Sequence, residues 1–307
     1  MPATRPNIRF NEDGICYGCV NYERRSIVDW DSRKKKLEQL CDNYRDSKKK
    51  YDCMIPVSGG KDSHMLLHRV KEEQKMNPLL FTVTDPFTST EAGKKNLANL
   101  IEKFDCDHIS FTGKTATARK QIREDFEKDG NFLRQIEIDI YQTPVEYAKA
   151  LGIGLVFYGE NSSYEYGLAE VDSMVHEDLT DEEVKVCFMS YFYQWSSIDN
   201  LETAKNYGFI DLKGEWQREG FIEDYEQIDS VAYCLYLWLK YPAFGYGRVT
   251  DVASRRVRDG SITLEEAKIL IEANDHKHDP KALKDFLQFT GYEETEFWEI
   301  VNGRREY

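Results

Sequence analysis

Ser58-Gly59-Gly60-Lys61-Asp62-Ser63 is a run of residue types suited to holding phosphate. It follows a short apolar stretch (residues 53–57) and opens a segment of helical spacing, so the pattern reads strand, loop, helix. Glycines let backbone N–H groups approach phosphate oxygens with no Cβ in the way. A helix N-terminus adds unpaired donors and the positive end of its dipole. Ser58 and Ser63 bring hydroxyls, and Lys61 brings a mobile positive charge. Asp62 is an anion in the same loop, and Mg2+, which takes carboxylate and phosphate oxygens together, would make it compatible with phosphate. The spacing is not G-x-x-x-x-G-K-[ST]. With Gly60-Lys61 as the GK pair, the first glycine would fall on Ile55 and the hydroxyl on Asp62.

Further groups with chemical potential lie downstream. Gly159-Glu160-Asn161 ends an apolar run, and ligands of open α/β sheets lie beyond the carboxyl ends of strands. Glu160 is therefore a candidate for binding Mg2+ or positioning an amine, and Asn161 for contacting substrate. Arg248, Asp251, Arg255 and Arg258 fall at i, i+3, i+7 and i+10, one face of a helix, with Arg256 close by. Guanidinium forks suit carboxylate or phosphate. Cys16-x-x-Cys19 is a metal-ligand spacing, but structural zinc needs four ligands, and Cys41 is too isolated to complete the set. His276 and His278 read as a solvated loop.

The elements that must position these groups alternate. "DCMIPV", "PLLFTVT" (78–84), "HISFT" (108–112) and "GLVFYG" (154–159) read as strands. The segment after the phosphate loop, residues 90–104 and residues 115–150 read as helices. Near-continuous apolar strands alternating with helices imply an α/β fold with a parallel sheet covered on both faces. Asp13-Gly14 between two short extended pieces predicts an N-terminal hairpin arm. Residues 31–50 carry Leu37, Leu40, Cys41 and Tyr44 at helical spacing. Beyond residue 175 the pattern becomes mainly helical. "TDEEV" (180–184) and "TLEEA" (263–267) carry capping-box spacing, Asp279-Pro280 marks a helix start, and "SVAYCLYLWLKY" predicts a buried helix. The expected divisions are 1–45 (arm and helix), 46–175 (nucleotide domain) and 176–307 (helical substrate or partner domain).

The chain has 307 residues, 41% of them hydrophobic, enough for a substantial core. The net charge of −14 disfavours a nucleic-acid partner. No apolar run is long enough to span a membrane, and "MPATRPNIRF" has no signal-peptide core. A cytoplasmic enzyme is expected. The seven cysteines then read as reduced thiols, with Cys53, Cys187 and Cys234 in the core.

Ser-Gly-Gly-x-Asp-Ser resembles the PP-loop of the ATP pyrophosphatases, a Rossmann-like α/β group related to the adenine nucleotide alpha hydrolases. In order along the chain, "GICYGC", "IPVSGGKDS", "GKKNLANLI", "FYGENSSYEYG" and "FGYGRVTDVASRRVRDG" together resemble the N-acetyl sugar amidotransferases of the WbpG/PseA type, which act in surface polysaccharide, lipopolysaccharide and flagellin glycan synthesis. The resemblance implies an ATP-dependent ligase that cleaves between the α- and β-phosphates. It would convert an acetamido group on an N-acetyl sugar, nucleotide-linked or a nonulosonic acid, into an acetamidino group through an O-adenylyl imidate. Ammonia would come from a partner glutaminase, because no cysteine here stands in a Gly-x-Cys-x-Gly elbow. Implied ATP contacts are Ser58, Gly59, Gly60, Lys61, Asp62, Ser63, Thr84, Asp85 and Gly159, with Asn96 a further candidate. Implied catalytic groups are Lys61, Asp62 and Glu160. Implied substrate contacts are Asn161, Arg248 and Arg255. The cofactors are ATP and Mg2+, and a homo-oligomer is compatible with the family.

The sequence departs from the family at Cys16 and Cys19. They resemble half a zinc ribbon (Zn2+), but the family's earlier cysteine pair, which precedes a stretch like Met1–Pro6, is not present, so a metal-free hairpin is expected. The runner-up is a PP-loop tRNA-thiolating enzyme, which would use Cys106 or Cys187. A non-catalytic nucleotide-binding subunit is the third reading, disfavoured by the intact loop.

Overall fold

Period-two alternation in the apolar strands builds a sheet with two buried faces. The computed structural model describes residues 1–46 and 48–304. The elements run α1 (Tyr17–Arg24), α2 (Trp30–Tyr44), β1 (Cys53–Pro56), α3 (Lys61–Leu67, continued by a wide turn His68–Glu73), β2 (Pro78–Thr84), α4 (Glu91–Phe104), β3 (His108–Thr112), α5 (Thr115–Asp129), α6 (Arg134–Ala150), β4 (Leu155–Tyr158), α7 (Ser162–Glu165) and β5 (Lys185–Phe188). Six more helices follow: α8 (Ser197–Asn206), α9 (Tyr233–Phe244), α10 (Arg248–Arg258), α11 (Leu264–Asn274), α12 (Pro280–Thr290) and α13 (Glu294–Asn302).

The five strands are all parallel, in the order β3-β2-β1-β4-β5. Cys53, Ile55, Leu80, Leu155, Phe157 and Cys187 point to one face, against Leu37 and Cys41 of α2 and Leu100 and Phe104 of α4. Met54, Leu79, Phe81, Val156, Val186 and Phe188 point to the other, against Val145 and Ala148 of α6. The order reverses between β1 and β4. That reversal opens a crevice at their carboxyl ends.

A second core gathers α5, α9, α12 and α13 around Phe126, Phe132, Trp238, Phe286 and Phe297. It binds the C-terminal helices to the flank of the sheet and carries α10 over the crevice. α9 is the buried helix expected from "SVAYCLYLWLKY". Thr263 forms its capping box with Glu266. Asp279 caps α12, with Pro280 in the first turn.

Three expectations change. Residues 180–184 do not start a helix. Asp181 Oδ1 accepts the N–H groups of Glu183 and Val184, a tight turn that feeds β5, and β5 pairs with β4. The sheet therefore continues past residue 175, because Val184, Val186 and Phe188 alternate as a strand requires. The helical stretch 115–150 is two helices. Gly130, at φ +83°, ends α5 by accepting a left-handed turn. The hairpin arm is reduced to one antiparallel bridge, Phe10 with Cys16, before the chain turns helical at Tyr17. α1 is held there by Asn21, whose side-chain amide donates to the carbonyls of Tyr164 (2.9 Å) and Ala169 (2.8 Å). Among the described residues, no helix is long and apolar enough to cross a membrane.

Candidate active site

The phosphate loop lies at the strand-order reversal. β1 ends at Pro56, and Val57 N–H still bonds to the Phe81 carbonyl. The chain then bends through Ser58, Gly59 and Gly60 into α3, with Gly60 as N-cap. Gly59 has φ +84°, and a Cβ there would sit 2.6 Å from the backbone nitrogen of Leu97 in α4. Only glycine satisfies both demands. The loop hydroxyls brace the loop itself: Ser58 N–H donates to Ser63 Oγ at 3.1 Å, and Gly60 N–H to Ser58 Oγ at 3.3 Å.

A cavity of about 330 Å³ opens beside the loop. Its walls include Ser58, Gly60, Lys61, Asp62 and Ser63, then Asp85 beyond β2, Glu160 beyond β4, and Arg248 and Arg255 from α10. Tyr141, Pro144 and Ile140 of α6 form an apolar side with Phe81 and Val83, and the segment Tyr225–Asp229 closes the cavity opposite. Six stretches distant in sequence thus converge on one crevice.

Its electrostatic centre is Glu226. This buried carboxylate pairs with Arg248 and Arg255, lies 3.4 Å from Lys61 Nζ, and accepts from Ser197 Oγ at 2.6 Å. Burial alone would raise its pKa. The Lys61, Arg255 and Arg248 charges overturn that and hold it well below the carboxylate range. Lys61 is not a mobile charge. It is 4% exposed and also bonds Asp62 Oδ2 at 2.7 Å. Burial pulls its pKa down, but Asp62 and Glu226 outweigh burial and leave it raised. Three cations, Lys61, Arg248 and Arg255, thus gather around Glu226 at the cavity, with Asp62 on Lys61 and Glu223 3.8 Å from Arg248 as further counter-charges.

Asp62 is fixed from its other oxygen by Asn200 Nδ2 of α8 (2.6 Å). Glu160 has its pKa raised, first by burial and then by the Asp62 charge. The Asp62 carboxylate beside the phosphate cradle fits a divalent cation. Among the described residues, no cluster of three or more His, Cys, Asp or Glu forms a metal cage. Mg2+ commonly takes only one or two carboxylates plus phosphates, so Asp62 alone is a fitting protein share. Deeper in the cavity Asp229 is pushed up to about 6, by burial and by the nearby Asp85 charge.

Several expected site residues do other work. Gly159 makes room for Trp195, whose ring would lie 3.0 Å from a Cβ at that position. Asn161 is buried, lines neither this cavity nor the one beside it, and caps α7, its Oδ1 accepting from Tyr164 N–H. Thr84 donates to the Phe111 carbonyl (3.0 Å) and bonds Thr112 at the exposed end of the sheet. Asn96 bonds the backbone of Ile210 in both directions. Asp251 pairs with Arg5 and Lys240, and Arg258 donates to the Glu165 carbonyl at 3.2 Å. His278 packs between Trp238 and Trp298.

The thiols lie outside the cavity. Cys187 is fully buried in β5, and burial pushes it up to about 12; Cys106 is raised by burial as well. Cys16 and Cys19 stand with sulfurs 3.5 Å apart at the start of α1. The hydrogen bond from Cys19 lowers Cys16 to about 5. Two thiols do not make a zinc site, and the charged groups acting on Cys16 are the N-terminal ammonium and Arg258, both cations. Sequence reasoning passes over Glu226, Asn200, Ser197 and Tyr166. The dense acidic and aromatic run "EDYEQIDS" is the available signal for Glu226.

Residues 219–307 match the family model described as LPS biosynthesis protein WbpG-like, C-terminal domain. The chain carries a WbpG-like C-terminal domain. This domain contains Glu226, Arg248 and Arg255, the groups that face the phosphate loop. An uncharacterized protein of Methanocaldococcus jannaschii is 30% identical over 104 residues, 34% of this chain and 37% of its own length. The chain thus matches little more than a third of that relative. Among solved structures, an NH3-dependent NAD synthetase from Campylobacter jejuni superposes with TM-score 0.39 at 14% identity, covering 87% of this chain and 98% of its own. An NMN synthetase from Francisella tularensis superposes with TM-score 0.37 at 11% identity, covering 88% and 96%.

Proposed function

We propose that this protein is an ATP-dependent, AMP- and pyrophosphate-forming amidotransferase. In this reading it converts the acetamido group of an N-acetyl sugar to an acetamidino group, with ammonia delivered by a separate glutaminase. One observation carries the reading: a Ser-Gly-Gly-x-Asp-Ser loop at the strand-order reversal faces the cations of a WbpG-like domain across one cavity.

The chemistry follows from the groups present. An amide carbon is a poor electrophile and its oxygen a poor leaving group. Attack of that oxygen on the α-phosphorus forms a P–O bond and releases pyrophosphate. Ammonia then adds to the adenylated carbon, and AMP leaves with the former amide oxygen. The loop amides, Lys61, Arg248 and Arg255 stabilise the charge that accumulates on pyrophosphate. Glu160, with its raised pKa, takes the proton that ammonia loses on addition. Asp62 would hold Mg2+, which would draw charge from the phosphate oxygens. The apolar side of the cavity and the covering segment Tyr225–Asp229 keep water from the imidate, which would otherwise revert to the acetamide.

The test is incubation with ATP, Mg2+, ammonium and a panel of nucleotide-linked and free N-acetyl sugars. Pyrophosphate release is measured, together with the mass change of replacing a sugar oxygen by an N–H group. Pyrophosphate release with no such change in any sugar refutes the acetamidino reaction. The thiolating alternative gains no support from geometry, since neither Cys106 nor Cys187 lines the cavity.

A further inference from the structure

A second cavity of about 120 Å³ adjoins the first and shares four of its residues, Lys61, Asp62, Glu160 and Arg255. Its other walls come from different elements: Tyr22 of α1 and Arg25 just beyond it, Gln194 and Trp195 before α8, and Arg258 at the end of α10. The larger cavity is lined by Ser58, Gly60, Lys61, Asp62 and Ser63 of the phosphate loop, whereas the smaller one touches only its lysine and aspartate. A reaction between a nucleotide and a second molecule needs two compartments meeting at the reacting atoms, and these two meet at Lys61, Asp62 and Glu160.

Trp195 is the second observation. It is 7% exposed, lines this cavity, and its indole N–H has no hydrogen-bond partner among the described residues. A buried donor without an acceptor is uncommon in folded proteins and calls for an explanation such as a ligand oxygen or ordered water. Its ring is held in place against Gly159, the residue that precedes Glu160. The indole and the Tyr22 ring offer apolar surface, while the Gln194 amide, the Arg258 guanidinium and the Asp199 and Asp259 carboxylates offer polar groups; Arg25 is taken up by its ion pair with Glu165. Aromatic surface beside dense hydrogen-bonding capacity suits a hydroxylated ring bearing an amide.

We propose that this second cavity is the subsite of the acceptor, an N-acetyl sugar, with the Trp195 indole N–H donating to one of its oxygens. The identity of the ligand rests on the function proposed above; the existence of a separate subsite rests on the two joined cavities and the unpartnered donor. α1 forms one wall, so the N-terminal arm is part of the site. Its tie through Asn21 to the Tyr164 and Ala169 carbonyls fixes that wall.

The experiment uses the full chain labelled with 15N-tryptophan. The chain has five tryptophans, so five indole signals are expected, and that of Trp195 is identified by its loss in Trp195→Phe. N-acetylglucosamine is the probe. The Trp195 signal should shift saturably on titration, with and without ATP. In turnover, Trp195→Phe should raise the sugar KM about tenfold, the size of one lost hydrogen bond, with the ATP KM unchanged. No shift at Trp195, or displacement of the sugar by ATP, overturns the subsite. A shift at Trp195 without sugar-dependent pyrophosphate release would keep the subsite and refute the proposed reaction. Turnover with an unshifted Trp195 signal would do the reverse.

Discussion

Replacing Glu226 with Gln should weaken the fold yet strengthen its response to a polyanion. Among the described residues, Glu226 is the carboxylate that Lys61, Arg248 and Arg255 all approach, and it is 7% exposed. Glutamine keeps the shape and one acceptor oxygen but removes the charge. Breaking a buried ion pair by removing one partner costs about 3–5 kcal/mol, because the stranded charges stay buried. At about 2.1 cal/mol/K per residue, over 307 residues, this lowers Tm by about 5–8 °C. The folded-state pKa of Glu226 is depressed. Its contribution is therefore complete above the unfolded value of about 4.3 and is lost as pH falls through the folded value. The gap between wild type and Glu226→Gln should be full at pH 7 and shrink only below about pH 4.3.

The counterpart concerns ligand. In wild type, Glu226 neutralises part of the positive charge of Lys61, Arg248 and Arg255 that would meet pyrophosphate. In the variant a bound polyanion replaces that neutralisation, so the Tm gain from pyrophosphate should exceed the wild-type gain. The assay is thermal unfolding from pH 4 to 8, with and without pyrophosphate. An equal Tm at pH 7, or a pyrophosphate gain abolished in the variant, would refute Glu226 as the counter-ion of an anion site.

Three further outcomes are expected. Lys61→Met and Asp62→Asn should each lower pyrophosphate release by about 10²–10³ with circular dichroism unchanged, and near wild-type rates in both would reject the loop as the ATP site. Glu160→Gln should lower kcat by about 10²–10⁴ and remove the acidic limb of the kcat profile. Because the folded pKa of Glu160 is raised, that limb in wild type should lie above the ordinary carboxylate range, and activity should fall as pH drops through it. Gly59→Ala should cost at least about 1–2 kcal/mol from the left-handed backbone alone, with a further loss from contact with Leu97, read as a lowered midpoint in urea unfolding.

What is legible in the sequence follows from the range of the interactions involved. β2 and β3 are bounded to the residue, because unbroken apolar runs between turn signals are local information. The loop is legible for the same reason: its glycines, hydroxyls and charges are contiguous. β5 is not, since Thr180 and Glu183 carry helix-start spacing, and only pairing with β4 decides the matter. Asn161 and Gly159 mislead through their proximity in sequence to Glu160. Alternation along a strand end sends neighbouring side chains to different surroundings, and Trp195 and Tyr164 claim theirs.

The same distinction explains why Glu226 is hidden in the sequence while Arg248 and Arg255 are not. Arginines seven residues apart on one helix announce a shared face, but not whether it meets water or protein. The carboxylate that answers them lies 22 and 29 residues earlier, in a segment without regular structure. Its position is fixed by Ser197 and by the Arg218 guanidinium, which bonds the carbonyls of Glu223, Glu226 and Gln227. The phosphate loop is thus written in a single contiguous stretch and would survive transplantation into many α/β sheets. Its cationic counterpart exists only once the C-terminal helices have docked, so one of the two carboxylates that pair with Lys61 is supplied far along the chain, at Glu226. A variant that loosens that docking without touching the loop, such as one at Phe286 or Phe297 in the helical core, should therefore lose anion affinity before it loses the sheet.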